Sequence, residues 1–106
     1  MTEPFDLVTY IQDQQVWSAG TFGPGPRTEG ICRHIEKELA EIRADPKDLM
    51  EFIDVLILAI DGAWRAGYFA DEIVDALCRK QLKNFSRTWP TPGPQDEPIE
   101  HVRAGE

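Results

Sequence analysis

Hydrophobic side chains recur every three or four residues along most of this chain, which is the spacing of an amphipathic α-helix. Residues that break helices divide the pattern into four segments, which predict helices at about residues 5–18, 28–44, 46–66 and 70–87. The alternation of period two that indicates a β-strand does not occur. The third segment is apolar around nearly its whole circumference, so we expect an all-α fold with this helix buried at its centre.

Glycine and proline crowd the segment at residues 20–26, between the first and second predicted helices. Proline stiffens a loop, and glycine allows its backbone to turn or to approach a ligand closely. This loop is either a simple connector or, with Trp17, Phe22 and Arg27 in and beside it, a wall against which a planar base packs.

Polar residues at the segment boundaries indicate where the helices begin. Thr28 is the expected N-cap of the second helix, and Asp45 is that of the third, with Pro46 in the first helical position. The fourth helix lacks a good cap, because Phe69 stands where Ser or Asp is preferred. Its expected inward-facing residues are Ile73, Leu77 and Leu82.

The chain of 106 residues is long enough for one domain with a modest core. Residues 1–90 carry the helical pattern and form the expected helical domain. The remainder, residues 91–106, is rich in proline and acidic side chains, so we expect an extended or partly disordered arm. Cys32 and Cys78 lack a CxxC spacing, give no sign of a zinc site, and are expected to be buried and reduced.

A net charge of −8 argues against nucleic acids and anionic membranes as partners, because either would require a basic patch. A small polyphosphate is compatible with this charge if metal ions carry the countercharge. The N-terminus lacks the basic segment and apolar run of a signal peptide, and no apolar run approaches the ~20 residues of a membrane span. We therefore expect a cytoplasmic protein.

Two acidic pairs lie on the second and third predicted helices. Glu38 and Glu41 are three residues apart, as are Glu51 and Asp54. Residues at this spacing share one face of a helix, and an antiparallel pair of helices can bring all four carboxylates together. Such a group requires a cation, since buried charge is costly without a partner, and oxygen ligands alone suit Mg²⁺ or Mn²⁺.

Simpler interpretations of these acids are available. Acidic pairs at this spacing are common on solvated helix faces, although acids among the apolar residues of the third helix fit that explanation poorly. A structural ion pair of the third-helix acids with Arg65 or Arg43 is another alternative. A di-iron bundle would need Glu-x-x-His pairs, which the chain lacks. His34 is expected to support a ligand or to lie in the core rather than to bind the ion.

The last turns of the fourth predicted helix place three cations and one amide on a single face, namely Lys80, Lys83, Asn84 and Arg87. A basic strip of this kind is usually solvated. Beside the carboxylates it would instead complete, together with metal ions, a cradle for a polyphosphate.

Taken in order, these residues resemble the ExxE…ExxD signature of the MazG-like, all-α NTP pyrophosphohydrolase superfamily. The chain is more similar to the dATP/dGTP diphosphohydrolase-like branch, common in phages, over roughly residues 10–103. The matching blocks lie at residues 17–18, 21–30, 34–42, 61–67, 80–81, 83–84, 87–90 and 99–102. Within this branch the chain also resembles the MazZ-type enzymes, which remove pyrophosphate from (d)GTP in phages that make 2-aminoadenine DNA.

The resemblance implies a MazG-like helical bundle that hydrolyses a purine nucleoside triphosphate, above all dGTP or GTP, to a monophosphate and pyrophosphate. It implies that two or three Mg²⁺ or Mn²⁺ ions activate water for attack on the α-phosphorus and are bound by Glu38, Glu41, Glu51 and Asp54. Glu41 and Glu38 would be the catalytic carboxylates, with Glu41 holding or deprotonating the water. The phosphates and sugar would contact Lys80, Lys83, Asn84 and Arg87, and the base would contact Trp17, Phe22, Arg27 and Trp89.

The resemblance also implies a homodimer or homotetramer that completes the bundle, and the apolar third helix favours a partner subunit independently. Two alternatives stay open. A sibling enzyme on the same scaffold would act on dATP, dUTP, dCTP or a damaged nucleotide. A non-catalytic helical module would instead use its acids to bind a basic partner or a structural ion.

Overall fold

The computed structural model describes residues 4–93 and 96–103 of the chain. Its helices are α1 (Leu7–Phe22), α2 (Thr28–Ala44), α3 (Leu49–Arg65) and α4 (Ala70–Ser86). The described residues contain no strand, only an isolated β-bridge between Thr88 and Val102. The prediction of an all-α fold is confirmed. None of the helices in this described part has the length and apolar character needed to cross a membrane.

The chain divides into two compact units, Met1–Val74 and Asp75–Glu106. In the first unit, α2 and α3 form the principal helix pair, and α1 packs against α3. The second unit contains most of α4 and the C-terminal segment. The predicted division between residues 90 and 91 stays a prediction.

The first helix is longer than the sequence pattern indicated. Asp6 caps it, with its side chain accepting hydrogen bonds from Val8 N and Thr9 N. The helix passes through Gly20 and ends at Phe22, four residues beyond the predicted end. A glycine inside a helix is tolerated, so the break comes only at Gly23, whose φ of +96° leaves the helical region, and at the proline that follows.

Two of the predicted caps are wrong. Arg27, not Thr28, occupies the N-cap position of α2, and it makes no side-chain capping bond. The third helix begins at Leu49 because the Asp48 carboxylate accepts from Met50 N at 3.0 Å. Asp45 instead follows the end of α2 and donates its N–H to Glu41 O. Residues 45–48 thus form a turn between the helices rather than the first turn of α3.

The fourth helix compensates for its missing polar cap. The N–H of Phe69 donates to Glu72 Oε1 at 2.9 Å, which is the half of a capping box that the third helical residue supplies. The helix ends at Ser86, one residue before the predicted end.

The single chain buries little apolar surface. Among the described residues the buried hydrophobic side chains are Ile11, Trp64 and Ala70, and the buried polar ones are Gln14, Ser18, Glu38, Asp61 and Arg65. Trp64 Nε1 donates to Gln14 Oε1 at 2.8 Å and so joins α3 to α1.

Several residues expected inside are exposed. Leu56 on α3 is 53% exposed, and Leu77 and Leu82 on α4 are 58% and 64% exposed. The predictions of a buried third helix and an inward-facing Leu77 and Leu82 are therefore wrong for the single chain, because its helices cover too little of each other. Cys32 and Cys78 are free, and both are exposed, so their predicted burial is wrong for the same reason.

The second unit contains a C-terminal segment that turns back on itself. Val102 N donates to Thr88 O at 2.7 Å, and the Trp89 ring meets His101 edge to face with centroids 6.0 Å apart. The described residues of the predicted arm are indeed without helix, but this contact fastens their far end. Residues 94–95 and 104–106 of the arm lie outside the described residues.

A buried ion pair connects three parts of the first unit. Arg65 Nε donates to Asp61 Oδ1 one helical turn earlier, and Ser18 Oγ on α1 donates to Asp61 Oδ2 at 2.7 Å. Arg65 also donates to the carbonyl oxygens of Gly23 and Gly25 in the loop. The pair thereby fixes α1, α3 and the loop after α1 relative to each other.

Replacing Arg65 by methionine should destabilise the protein by about 3–5 kcal/mol, because removing one partner leaves the Asp61 carboxylate buried without its countercharge. The free energy of unfolding in urea measures this. The matched control is Arg79→Met, since Arg79 and Asp75 form an exposed pair with the same i,i+4 spacing. Its cost should be ~0–1 kcal/mol. Equal losses in the two variants would contradict a stabilising role for the buried pair.

Candidate active site

Three of the predicted acidic residues meet where α2 packs against α3. Glu38, Glu41 and Glu51 each offer a carboxylate oxygen, and these atoms all lie within 4.8 Å of one another. Glu38 is only 5% exposed, and Glu41 and Glu51 are partly buried. The spacing of three residues on α2 places Glu38 and Glu41 side by side, and the helix pair adds Glu51 from α3.

The fourth predicted ligand, Asp54, is exposed and lies outside this three-carboxylate group. It lines a cleft together with Glu38, and its negative charge acts on the Glu38 carboxyl. The geometry thus brings Asp54 to the edge of the group rather than to its centre.

Two oxygens of the group have no donor. Glu38 Oε2 and Glu51 Oε2 are buried, and neither finds a hydrogen-bond partner among the described residues. A neighbouring carboxylate can serve them only if the two acids share a proton. Because a buried polar atom without a partner is costly, these oxygens are satisfied either by protons or by a cation.

The pKa shifts of the three glutamates also indicate that their oxygens are satisfied by protons or by a cation. The hydrogen bond with Glu41, followed by burial and the charge of Glu41, raises the pKa of Glu51 to about 7. The corresponding hydrogen bond with Glu41, and then burial, raises the pKa of Glu38. The same interactions, with Glu38 first and then Glu51, lower the pKa of Glu41. Near neutral pH Glu51 is therefore partly protonated, and a bound cation would displace its proton.

His34 supports the group from one turn earlier on α2. Its Nε2 lies 3.2 Å from Glu38 Oε1, the oxygen opposite the one without a partner. The imidazole is half exposed, so the expectation that His34 supports a ligand fits the structure better than a core position.

A cleft of about 380 Å³ extends from Glu38 and Asp54 to the loop after α1. Its walls are formed by Trp17, Phe22, Arg27, Gly30, Ile31, His34, Glu38, Asp54, Ile57, Leu58, Asp61 and Arg65. Trp17 meets Phe22 edge to face with centroids 5.6 Å apart, and the Arg27 guanidinium lies 5.5 Å from the centre of the Phe22 ring. The loop is thus more than a connector, because residues at both of its ends form one wall of this cleft.

The alternative of a structural ion pair finds no support at the acidic group. Arg65 pairs with Asp61, and neither Glu51 nor Asp54 takes part in an ion pair within the described ranges 4–93 and 96–103. Because no cationic side chain pairs with Glu51 or Asp54, these carboxylates are available to bind a metal ion.

The remaining predicted site residues lie in the second unit. Lys80 and Lys83 are exposed on α4, while Asn84 Oδ1 accepts from Arg87 Nη1 at 3.1 Å. Trp89 Nε1 donates to the backbone oxygen of Asn84 at 2.8 Å. The predicted contacts of these residues with phosphates, sugar and base stay predictions.

Sequence reasoning gave no site role to Ser18, Ile57 and Leu58, which contribute to the cleft or to its support. Ser18 is completely buried on α1, and its contacts with Asp61 and Arg65 reveal its importance. A detectable signal was the Asp61–Arg65 pair at i,i+4 within an apolar helix, a position where a charge needs a specific partner.

The all-helical architecture of the described residues matches a MazG-like fold. A cyanophage S-2L MazG-like pyrophosphohydrolase, solved bound to dGDP and three catalytic Mn²⁺ ions per active site, is similar with a TM-score of 0.72. It is 25% identical, and the similarity covers 94% of this chain and 100% of that one. A comparison with curated proteins found no match.

The family model for dATP/dGTP pyrophosphohydrolase matches residues 10–105. The chain belongs to this family and is a hydrolase of the nucleoside triphosphate pyrophosphohydrolase class. The resemblance inferred from the sequence is confirmed.

We expect Mn²⁺ binding to release about one proton per site at pH 6 and less at pH 8, because Glu51 is protonated only below its pKa of about 7. Between pH 4.5, near the pKa of Glu51 in the unfolded chain, and pH 7, the folded chain holds a proton on Glu51 that the unfolded chain has lost. The metal-free protein should therefore lose stability as pH rises through that range, and Mn²⁺ should restore it.

Calorimetric titration in two buffers of different ionisation enthalpy counts the released protons. Glu51→Gln should reduce both the release and the Mn²⁺ affinity. Glu36→Gln, an exposed change on α2, should alter neither. Release that does not depend on pH, or that survives in Glu51→Gln, would contradict this assignment.

Proposed function

We propose that this chain is a metal-dependent pyrophosphohydrolase that converts a purine nucleoside triphosphate, above all dGTP or GTP, to the monophosphate and pyrophosphate. The observation that carries the proposal is the group of Glu38, Glu41 and Glu51, with two buried oxygens that lack a donor. Support comes from the family and from the similar structure, which binds dGDP and Mn²⁺. A cytoplasmic location and a role in supplying 2-aminoadenine nucleotides in a phage stay predictions.

In this proposal Glu38, Glu41 and Glu51, with Asp54 at the edge of the group, hold two or three Mg²⁺ or Mn²⁺ ions. The residues fit such ions, because all donors are oxygens and two of them lack any other partner. When bound, the ions supply charge that neutralises the triphosphate and acidifies the water that attacks the α-phosphorus.

Glu41 and Glu38 have different tasks. The lowered pKa of Glu41 keeps it ionised at neutral pH, so it can orient the attacking water and accept its proton. Oε1 of Glu38 lies 3.2 Å from Nε2 of His34, and its Oε2, which has no partner, would bind the metal ion. A nucleotide in the cleft would exclude water from Glu38, which lines it, and would strengthen the electrostatic effect of that carboxylate.

The far end of the cleft suits a purine. Trp17 and Phe22 offer aromatic surface, and Arg27 uses one N–H for the carbonyl of Phe22 at 3.0 Å while its other donors remain available. Arginine donors match the O6 and N7 acceptors of guanine, whereas adenine presents a donor at N6. This chemistry favours guanine nucleotides.

Wild-type protein with Mn²⁺ or Mg²⁺ should cleave dGTP to dGMP and pyrophosphate. Glu41→Gln should lower kcat by about 10²–10⁴-fold, because the variant loses both a ligand and the group that accepts the proton. Asp54→Asn should also lose activity. Ion-exchange chromatography of the products from all ribo- and deoxyribonucleoside triphosphates is the measurement.

Glu36→Gln is the matched control on α2 and should retain full activity. The same products from another base would keep the mechanism and assign the chain to a sibling substrate. No cleavage of any triphosphate with either ion would contradict the proposal and favour a non-catalytic interaction module.

We further propose that the chain works as a homodimer or homotetramer. Large apolar side chains on two helices are exposed in the single chain, among them Phe52 and Leu56 on α3 and Leu77, Leu82 and Phe85 on α4. Exposed apolar surface of this extent is typical of an interface. A second copy would supply the cover that the predicted central helix lacks.

Light scattering should give a mass at least twice that of the chain. Measuring over a roughly hundredfold dilution covers dissociation constants in the micromolar range. Leu56→Lys should weaken the association, because a charge would enter the apolar contact. Glu36→Lys places the same side chain on an exposed polar position of α2 and serves for comparison. A monomer at every concentration would contradict this proposal.

A further inference from the structure

Arg65 lines the cleft, yet it has no donor left for a ligand. A guanidinium carries five N–H donors. Nε donates to Asp61, Nη1 donates to Gly23 O at 2.8 Å and Gly25 O at 2.9 Å, and Nη2 donates to Ser18 O at 3.3 Å and Ser18 Oγ at 2.9 Å. Every donor is therefore engaged within the chain. Arg65 cannot bind a nucleotide directly without breaking one of these bonds.

The partners of Arg65 hold its guanidinium in one place. Asp61 neutralises it and is itself oriented by Ser18 Oγ, which donates at 2.7 Å. The Trp64 ring lies 4.4 Å from the guanidinium carbon, a cation–π contact. Arg65 is only 7% exposed, so these interactions are shielded from water. The Arg65 side chain is thus held in one position between α1 and α3.

The carbonyl oxygens of Gly23 and Gly25 in the loop accept hydrogen bonds from the Arg65 guanidinium. Gly23 and Gly25 have φ values of +96° and +89°, which other residues adopt only with strain. Pro24 and Pro26 restrict the backbone between and after them. The alternation of glycine and proline lets carbonyls two residues apart reach the same guanidinium nitrogen. The loop conformation therefore depends on Arg65.

Both ends of this loop carry residues of the cleft wall. Phe22 precedes the loop and Arg27 follows it, and they contact each other through ring, guanidinium and backbone carbonyl. Phe22 is the last residue of α1, so a shift of the loop would move Arg27 relative to Phe22 and Trp17. The acidic end of the cleft is set by α2 and α3 instead, and does not involve the loop.

We propose that Arg65 is a positioning residue for base selection: by holding the carbonyls of Gly23 and Gly25, it keeps Phe22 and Arg27 in the arrangement that distinguishes one nucleobase from another. This inference rests on the proposed pyrophosphohydrolase function. Arg65 acts on the base end of the cleft and not on metal binding or on the chemical step.

The test compares kcat/KM for dGTP, dATP, dCTP and dTTP in wild type, Arg65→Lys and Ser18→Ala. Lysine keeps the charge beside Asp61, but its single nitrogen cannot serve Asp61 and both carbonyls in the fork geometry. The ratio between the best and the poorest substrate should fall about tenfold in Arg65→Lys, through a higher KM for the preferred base. Ser18→Ala should give a smaller decrease, because Arg65 keeps both loop carbonyls.

This ratio is independent of the folded fraction, since unfolded protein lowers all four rates equally. Mn²⁺ affinity, measured on the same samples, should stay at the wild-type value. Arg79→Met, from the exposed Asp75–Arg79 pair, should leave the ratio unchanged. Arg27→Lys alters the wall itself and should reduce the ratio as Arg65→Lys does.

An unchanged ratio in Arg65→Lys would overturn this inference and leave the proposed function standing. Turnover by the wild type without discrimination among bases would overturn this inference and the proposed guanine preference, and would leave the pyrophosphohydrolase activity standing. An equal decrease of kcat for every substrate, with the ratio preserved, would also overturn it, because Arg65 would then be structural only. Absence of wild-type turnover would contradict the proposed function and this inference together.

Discussion

The first unit depends on one buried cation and the acid that neutralises it. Burying a charge is tolerated only when its hydrogen bonds and its countercharge are both supplied, and Arg65 obtains them from α1, α3 and the loop between α1 and α2. Few apolar side chains are buried in the single chain. The direction of the guanidinium bonds therefore contributes specificity that hydrophobic contact, which has no direction, does not give.

The first unit contains two acidic environments with opposite character. Asp61 has both oxygens engaged, by Arg65 and by Ser18, and can take no further role without losing the fold around it. Glu38 and Glu51 each keep a buried oxygen without a donor. The satisfied acid shapes the cleft, and the unsatisfied acids can take up a proton or a cation. A charge group with complete partners gives rigidity, and one without them gives affinity for a cation or a proton.

The same contrast extends to the apolar surface. The helix that supplies Glu51 also exposes Phe52 and Leu56 beside it in the sequence. A cation bound at the acidic group and a second subunit packed on Phe52 and Leu56 would contact the same stretch of α3 from different sides. In the proposed assembly, one helix would therefore supply both a metal ligand and a subunit contact, because successive residues of a helix point in different directions.

The sequence by itself determined the four helices, the loop with its glycines and prolines, and the acidic pairs at Glu38, Glu41, Glu51 and Asp54. Helical periodicity, breakers and i,i+3 spacing are local properties, so they can be recognised without knowing the packing. Local competition already limited this, since Asp48 and not Asp45 caps α3.

Only the tertiary structure decided which groups meet. It placed Asp54 outside the group formed by the three glutamates. It also brought Ser18 and the carbonyl oxygens of Gly23 and Gly25 to the Asp61–Arg65 pair. It also left Cys32 exposed. These outcomes depend on how α1, α2 and α3 approach one another, because residues far apart in sequence choose among several chemically equivalent partners by distance and direction.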